Sequence, residues 1–270
     1  MHPLVGLSAW LLSPAPVPPE APPDCPQAEL PMACLSEGGP NYRFLFAYSA
    51  EASAIPALDA MLREAERTAR ENFEGLLDDA RRFPQARYFY EETYTTDADR
   101  PELLALAVRH SEYAGGARAA STAGTLIWDR AANRAIGFEQ LFDDLDAAQA
   151  LVNRQFCSAL REARDRTLGG TPHDDCPDLY FARLIPGDDG RIARLHFSFD
   201  PIDGTEEGQF DVELPVAAEL VPLVGAAYRP AFVASDGPVT TCQRASPRDP
   251  CVPVAPREGG NGEVANPLSQ

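Results

Sequence analysis

The residues with the most chemical potential in this sequence are its four histidines, His2, His110, His173 and His196. A serine hydrolase would need one of the last three between a serine and a carboxylate, and no serine stands in the Gly-x-Ser-x-Gly turn that exposes such a nucleophile. All 23 basic residues are Arg. The absence of lysine excludes Schiff-base chemistry, a lysine nucleophile and a phosphate-binding loop that depends on lysine.

The six cysteines fall into three local groups, and none forms a Cys-x-x-Cys pair. Six cysteines allow many pairings, but the grouping favours three short-range disulfides, Cys25–Cys34, Cys157–Cys176 and Cys242–Cys251. Such bridges form in an oxidising compartment, so we expect a periplasmic or secreted protein. The stretch from His173 to Cys176 contains metal-ligand residue types, but because Cys176 is predicted to be bridged we expect no metal and no cofactor.

The net charge is -18, from 41 acidic and 23 basic residues. A surface of this sign repels the phosphates of nucleic acids, and it attracts basic proteins over a screening length of ~8 Å at physiological salt. We therefore expect no nucleic-acid partner. The acidic turns Asp188-Asp189 and Glu206-Glu207 are the predicted contacts for a cationic partner.

Composition divides the chain into three parts. Residues 1–40 contain an apolar run, Leu4 to Leu12, that resembles a weak signal segment, followed by a Pro-rich lead. The run is too short to span a membrane, since a spanning helix needs about 20 apolar residues. Residues 41–233 are the predicted folded domain, and 234–270 are rich in Pro and Gly and are predicted to be a disordered tail.

Within the folded part, alternating apolar residues predict strands at 42–48, 87–96, 102–113, 124–129, 179–185, 192–199 and 209–214. Helical periodicity predicts one long helix that Ser53 caps and that continues to about Ala80, and a second from about Asp146 to Leu168. The elements do not alternate regularly between strand and helix. The sequence thus predicts an α+β fold with a mostly antiparallel sheet and two main helices packed on it.

The segment from Tyr113 to Arg118, Tyr-Ala-Gly-Gly-Ala-Arg, is followed by a strand that ends at Trp128-Asp129 and by Leu141-Phe142-Asp143. The same series of motifs continues further along the chain with three short segments: Phe197 to Pro201, Gly208, and Val212 to Pro215. This pattern resembles the extracellular domain shared by the peptidoglycan deacetylase PdaC and the anti-sigma factor RsiV, over about 42–233. Arg118 stands where that family usually has His, which replaces an imidazole by a permanent cation.

The resemblance implies a non-catalytic binding domain of the cell envelope, and domains of the RsiV type recognise lysozyme, a strongly basic protein. We expect a binding function rather than an enzyme. One alternative is a peptidoglycan or polysaccharide module, in which Tyr88, Tyr90, Tyr94, Tyr113 or Trp128 stacks on sugars. Another is a small hydrolase that uses His110 or His196. The predicted binding residues are Tyr113, Gly115, Gly116, Arg118, Trp128, Asp188, Asp189, His196, Glu206 and Glu207.

Overall fold

The computed structural model describes residues 33–39, 41–82, 87–115, 119–168, 182–199, 209–244 and 252–253. Its helices and strands confirm the predicted α+β class. The strands form two sheets of six and five strands, whereas the sequence pattern indicated one sheet. Local alternation identifies strands but does not specify which distant strands pair, so the division into two sheets appears only in three dimensions.

The first sheet has six strands in chain order. They are β1 (Ala33–Gly39), β2 (Tyr42–Tyr48), β3 (Tyr88–Asp99), β4 (Leu103–Tyr113), β5 (Ala120–Asp129) and β6 (Arg134–Ile136). Neighbouring strands are antiparallel except β2 and β3, which are parallel. A parallel pair needs a long crossover connection, and two helices, α1 (Ala50–Ser53) and α2 (Pro56–Arg82), provide it.

The second sheet is antiparallel and has the order β11-β10-β9-β8-β7. Its strands are β7 (Ala182–Pro186), β8 (Ile192–Phe199), β9 (Gln209–Pro215), β10 (Thr240–Arg244) and β11 (Val252–Pro253). The third helix, α3 (Leu145–Leu168), lies between the two sheets in the chain. Strands β1, β10 and β11 fall outside the range 41–233 that composition assigned to the folded domain.

Two hydrophobic cores lie on opposite faces of the first sheet. The helix-side core joins α2 to one face through residues such as Leu62, Phe73 and Leu104. The inter-sheet core joins the other face to the second sheet and to α3 through residues such as Phe156 and Phe197. Because both faces of the first sheet are covered near its middle, five consecutive β4 residues, 103–107, are buried.

Ser49 caps the short helix α1, whereas the sequence predicted a single long helix capped by Ser53, a residue that is instead the last of α1. The Ser49 Oγ accepts the backbone N–H of Ala52 at 3.3 Å, and the side chain is fully buried. The Thr96 hydroxyl donates to the same oxygen at 2.7 Å, which ties the cap to β3. Both serines precede helical residues, so local sequence could not distinguish them, whereas only Ser49 has a partner on the sheet.

An ion pair connects the two sheets. The β3–β4 register shifts between Thr96 and Ala98, so Asp97 stands at a bulge. Its carboxylate accepts two hydrogen bonds from Arg183 of β7, from Nε at 3.1 Å and from Nη2 at 2.5 Å. The Asp97 side chain is 7% exposed and that of Arg183 is 23% exposed. Bulges commonly redirect a side chain, and here the bulge lies where the carboxylate meets the second sheet.

Candidate functional site

The Tyr113 to Arg118 motif begins at the end of β4. Gly115 has φ of +90°, a conformation that glycine adopts without strain. A Cβ atom on it would lie 3.5 Å from the Tyr88 ring, an ordinary contact, so backbone conformation rather than space explains the glycine. The Tyr113 ring packs at 6.2 Å from that of Tyr88, measured between centroids. Gly116 and Arg118 lie outside the described residues.

A polar cluster follows the α2-side face of β3 and β4, and we call it the Glu92 cluster; it consists of Tyr90, Glu92, Tyr94, His110 and Glu112. The hydroxyls of Tyr90 and Tyr94 both donate to the Glu92 carboxylate. The His110 Nδ1 lies 3.8 Å from Glu92 and its Nε2 lies 3.6 Å from Glu112. These residues share a face because β3 and β4 pair Glu92 with His110 and Tyr90 with Glu112.

The electrostatics of the Glu92 cluster keep its phenols neutral. Burial raises the pKa of Tyr90 and of Tyr94 well above the usual value, and the hydrogen bond to Glu92 raises both further. A neutral phenol is a poor base and nucleophile, so the two tyrosines serve Glu92 as hydrogen-bond donors. The cluster therefore presents an imidazole between two carboxylates rather than an activated nucleophile.

Most of the aromatic residues proposed for sugar stacking are not accessible. Trp128, Tyr88 and Tyr94 are 4%, 4% and 7% exposed. Tyr90 is enclosed on both sides, because Phe44 stacks on it at 5.2 Å and His110 meets it edge-on at 4.8 Å. Tyr113 remains half-buried. Two rings contact Tyr113 as well, that of Tyr88 and that of Phe89, which stacks on it at 6.4 Å, so none of the five candidates presents a fully open aromatic face to a sugar ring.

His196 lies on the face of the second sheet opposite its core, together with Ser198 and Asp211. The Ser198 hydroxyl donates to Asp211 Oδ1 at 2.6 Å, and His196 Nε2 lies 3.6 Å from the same oxygen. Asp211 is 4% exposed. In a hydrolase relay the histidine lies between the serine and the carboxylate, whereas here the carboxylate lies between the other two. These three residues are therefore arranged as a structural network and not as a relay.

The acidic β7–β8 turn is compensated by arginine. Asp189 accepts the backbone N–H of Arg191 at 2.9 Å and its Nε at 2.7 Å, and these two bonds lower the pKa of the Asp189 carboxyl. The guanidinium of Arg100 lies over the turn, 3.3 Å from the position of a Cβ on Gly190. Asp188 is exposed. Of the two predicted contacts in this turn, only Asp188 presents a charge that the turn does not balance. The other two predicted contacts, Glu206 and Glu207, lie outside the described residues.

A stronger negative surface lies where α3 begins. We call it the acidic segment, and it comprises Glu139, Asp143, Asp144 and Asp146. The three aspartates are exposed and Glu139 is half-buried. Asp144 Oδ1 accepts the backbone N–H of Ala147 at 3.0 Å and so caps α3, while Asp143 lies 3.8 Å from Arg229 Nη2.

The aspartates of this segment are not among the binding residues predicted from the sequence. The signal that could have marked a charged surface is that no Arg occurs between Arg134 and Arg154. Phe138 and Phe142 are both buried in the inter-sheet core, whereas the carboxylates between and after them remain at the surface. The acidic segment is thus a set of carboxylates held at the surface by buried aromatic neighbours.

The three described cysteines are Cys34, Cys157 and Cys242, and none of them is a free thiol. The other members of the predicted pairs, Cys25, Cys176 and Cys251, lie outside the described residues. The pairing therefore stays a prediction.

A cavity of only about 10 Å³, roughly the space of one water molecule, lies between α3 and β8–β9. Its lining is apolar apart from Gln155 and contains no titratable side chain, so it offers nothing for acid–base chemistry. Within the described ranges, no group of three or more His, Cys, Asp or Glu side chains is arranged to hold a metal ion. None of the helices in the described part of the chain is long and apolar enough to cross a membrane.

Among solved structures, the chain is similar to a DUF3298 family protein from Pseudomonas aeruginosa PAO1, with 15% identity, a TM-score of 0.43, and coverage of 77% of this chain and 98% of that one. It is also similar to a member of the DUF3298 family from Bacteroides fragilis NCTC 9343, with 14% identity, a TM-score of 0.45, and coverage of 78% and 97%. No protein-family model and no curated protein matches the sequence.

Proposed function

We propose that this protein is a periplasmic or secreted cell-envelope domain that binds a strongly basic protein of the lysozyme type and does not catalyse a reaction. The observation that carries the proposal is the acidic segment, where three exposed aspartates lie close together in the chain. Arg229 is a partial counter-charge, since its guanidinium is 3.8 Å from Asp143 and both side chains are more than 40% exposed. A cationic surface can compete with Arg229 for the Asp143 carboxylate, because an exposed ion pair contributes little to the stability of the fold.

The charge of the whole chain supports capture of a basic partner. A net charge of -18 produces a field that steers a cationic protein toward the surface and raises the association rate constant. The resemblance to the PdaC and RsiV domains supports lysozyme as the partner to test first. The acidic segment includes Asp143, which belongs to the Leu141-Phe142-Asp143 motif of that resemblance.

The cysteines support the proposed compartment. Cys34, Cys157 and Cys242 are not free thiols, and bridged cysteines persist where the environment is oxidising. We expect mass spectrometry of the exported protein, with and without reduction, to give three disulfides with the pairing Cys25–Cys34, Cys157–Cys176 and Cys242–Cys251. A protein purified with six alkylatable thiols would contradict the assignment of both bridges and compartment.

Binding of purified protein to lysozyme, measured by biolayer interferometry at low salt and at about 0.15 M salt, tests the proposal. The double variant Asp143→Asn/Asp146→Asn retains the Asp144 cap, and we expect it to weaken binding by about three- to tenfold, mainly through the association rate. The matched control is Asp188→Asn/Asp189→Asn, which removes the same number of carboxylates from the β7–β8 turn, where Arg191 and Arg100 offset the charge. Its binding should change less than twofold by comparison.

No detectable binding to lysozyme at low salt would refute the proposed partner. Equal loss of binding in the two double variants, which remove the same charge, would show that net charge acts without a defined contact surface. The glycan alternative predicts retention on isolated sacculi at high salt, and Tyr113, which is half-buried, is the aromatic candidate to test for it. Retention that is lost in Tyr113→Ala and is insensitive to salt would replace the basic-protein proposal.

A further inference from the structure

The outer edge of β5 is open over half of its length. Strand β6 pairs only with Ile127, Trp128 and Asp129 at the far end of β5. Along residues 120–124, β5 pairs with β4 on one side, and no described strand pairs with it on the other. Residues 120–123 are exposed on both faces of the sheet, so no part of the chain that the structure describes encloses this end of the β4–β5 hairpin.

This edge lacks the features that usually protect an open strand. Exposed edges are normally blocked by charged side chains, proline or a bulge. Residues 119–126 read Ala-Ala-Ser-Thr-Ala-Gly-Thr-Leu and contain no charge and no proline. The β4–β5 register runs without a shift from Leu103–Asp129 to Glu112–Ala120, so no bulge twists the edge away. Small side chains also allow another backbone to approach closely.

The charges beside this edge specify the kind of strand that fits. On the α2-side face, β4 places Glu112 opposite Ala120 and His110 opposite Thr122, and Glu92 lies one strand further in. The Glu112 side chain is 41% exposed. An added strand would lie about 10 Å from β4, a distance that a Lys or Arg side chain can cover from a diagonal position.

We propose that the β5 edge binds an extended peptide segment as an additional strand, with Lys or Arg at alternate positions on the face that carries Glu112 and Glu92. Main-chain hydrogen bonds supply affinity and the alternating cationic side chains supply specificity. This site is separate from the acidic segment and does not depend on the proposed function. A second copy of the chain fits the edge less well, because each copy has a net charge of -18.

The test uses fluorescence anisotropy with the full chain and a fluorescein-labelled peptide Thr-Lys-Val-Lys-Val-Lys-Thr. Three control peptides are a charge-reversed Glu version, a version N-methylated at alternate amides, and a version with a central proline. We expect saturable binding of the first peptide and loss of binding of the three controls. Hydrogen exchange of the 120–124 amides should become slower in the complex.

Protein variants locate the site. In an antiparallel pair, alternate residues direct their N–H groups toward the partner strand, so one of Thr122→Pro and Ala123→Pro removes an outward donor and leaves the β4 ladder intact. The variant that keeps the wild-type circular dichroism spectrum should bind the peptide at least about fivefold more weakly. Glu112→Gln should weaken binding by about two- to fivefold, and the control Glu219→Gln, at an exposed residue outside both proposed sites, should leave it unchanged.

Four outcomes would overturn the proposal. They are equal binding of the N-methylated peptide, unchanged binding in both proline variants with an intact fold, equal effects of Glu112→Gln and Glu219→Gln, and no saturable binding at all. Analytical ultracentrifugation distinguishes the other occupant: a dimer of the free protein that the folded proline variant abolishes would assign the edge to a second copy instead.

Discussion

The ion pair between Asp97 and Arg183 predicts how strongly the two sheets depend on each other. Arg183→Met keeps most of the side-chain volume but removes two hydrogen bonds to a carboxylate that is 7% exposed. Breaking a fully buried pair costs ~3–5 kcal/mol. Because Arg183 is 23% exposed, water can reach part of the site, and we expect a loss of about 2–3 kcal/mol in the free energy of unfolding.

Urea denaturation of the oxidised protein, followed by circular dichroism, measures this loss. The control is Arg191→Met in the same hairpin, whose pair with Asp189 is 41% and 47% exposed on its two sides and which should cost less than about 1 kcal/mol. A double-mutant cycle with Asp97→Ala isolates the pairwise contribution. We expect Arg183→Met to cost less than about 1 kcal/mol once the carboxylate is absent.

Two results would refute this reasoning. One is a cost of Arg183→Met no larger than that of Arg191→Met, which would mean that Asp97 is well solvated in solution. The other is an additive cycle, which would mean that the loss comes from packing of the arginine stem and not from the ion pair. An unchanged denaturant dependence of the free energy is required for either comparison, because it shows that the same surface is exposed on unfolding.

Three further predictions concern the hydrogen bonds of buried groups. Burial alone would raise the pKa of the Asp129 carboxyl. Hydrogen bonds from a backbone N–H at 2.8 Å and from the Tyr228 hydroxyl at 2.6 Å outweigh burial and hold that pKa below its usual value of 3.8. The stabilisation of the folded state is therefore present above pH 3.8 and is lost as the pH falls through the lowered pKa. Asp129→Asn should reduce the free energy of unfolding by about 1–2 kcal/mol at pH 7, and this loss should shrink as the pH is lowered below 3.8, measured by urea denaturation over a series of pH values. Tyr48→Phe removes a hydroxyl that donates to a carboxylate at 2.7 Å and should cost about 1 kcal/mol in the same assay; a loss below about 0.3 kcal/mol would mean that water replaces the bond. Ser49→Ala should lower the thermal midpoint, with a cost of about 1–2 kcal/mol, whereas Ser53→Ala should have almost no effect, and equal effects would contradict the assignment of the cap.

Much of the secondary structure could be predicted because it follows from periodicity. The strands from β2 to β5, β7 to β9 and the two long helices have alternating or helical apolar patterns, and their predicted bounds match within a few residues except that β5 begins at Ala120 rather than Gly124. Strand β1 could not be predicted in the same way. It has one large apolar residue, Leu35, and it forms because β2 offers an edge, which is information that lies in another part of the chain.

The candidate site was harder to predict because a residue's position on a strand does not show which face is open. Alternation identifies two faces, but both faces of the first sheet are covered near its middle, so Trp128 lies in a core while appearing as a possible ligand contact in the sequence. It is equally hard to predict from the sequence whether a charged side chain is paired in the fold. Asp189 appears to be a free carboxylate until the fold places Arg191 and Arg100 beside it. The acidic segment has no Arg beside it in the chain, and the fold brings Arg229 to 3.8 Å from Asp143.

The burial of β4 on both faces has a consequence for how the protein unfolds. Leu104 and Leu106 belong to the helix-side core, whereas Leu103 and Ala105 belong to the inter-sheet core. Neither core can open without exposing side chains of the same strand, and the backbone of that strand pairs with β3 and β5 in both cases. Two cores that share a strand should therefore melt in one transition, with the amides of residues 103–107 exchanging only when the whole molecule unfolds.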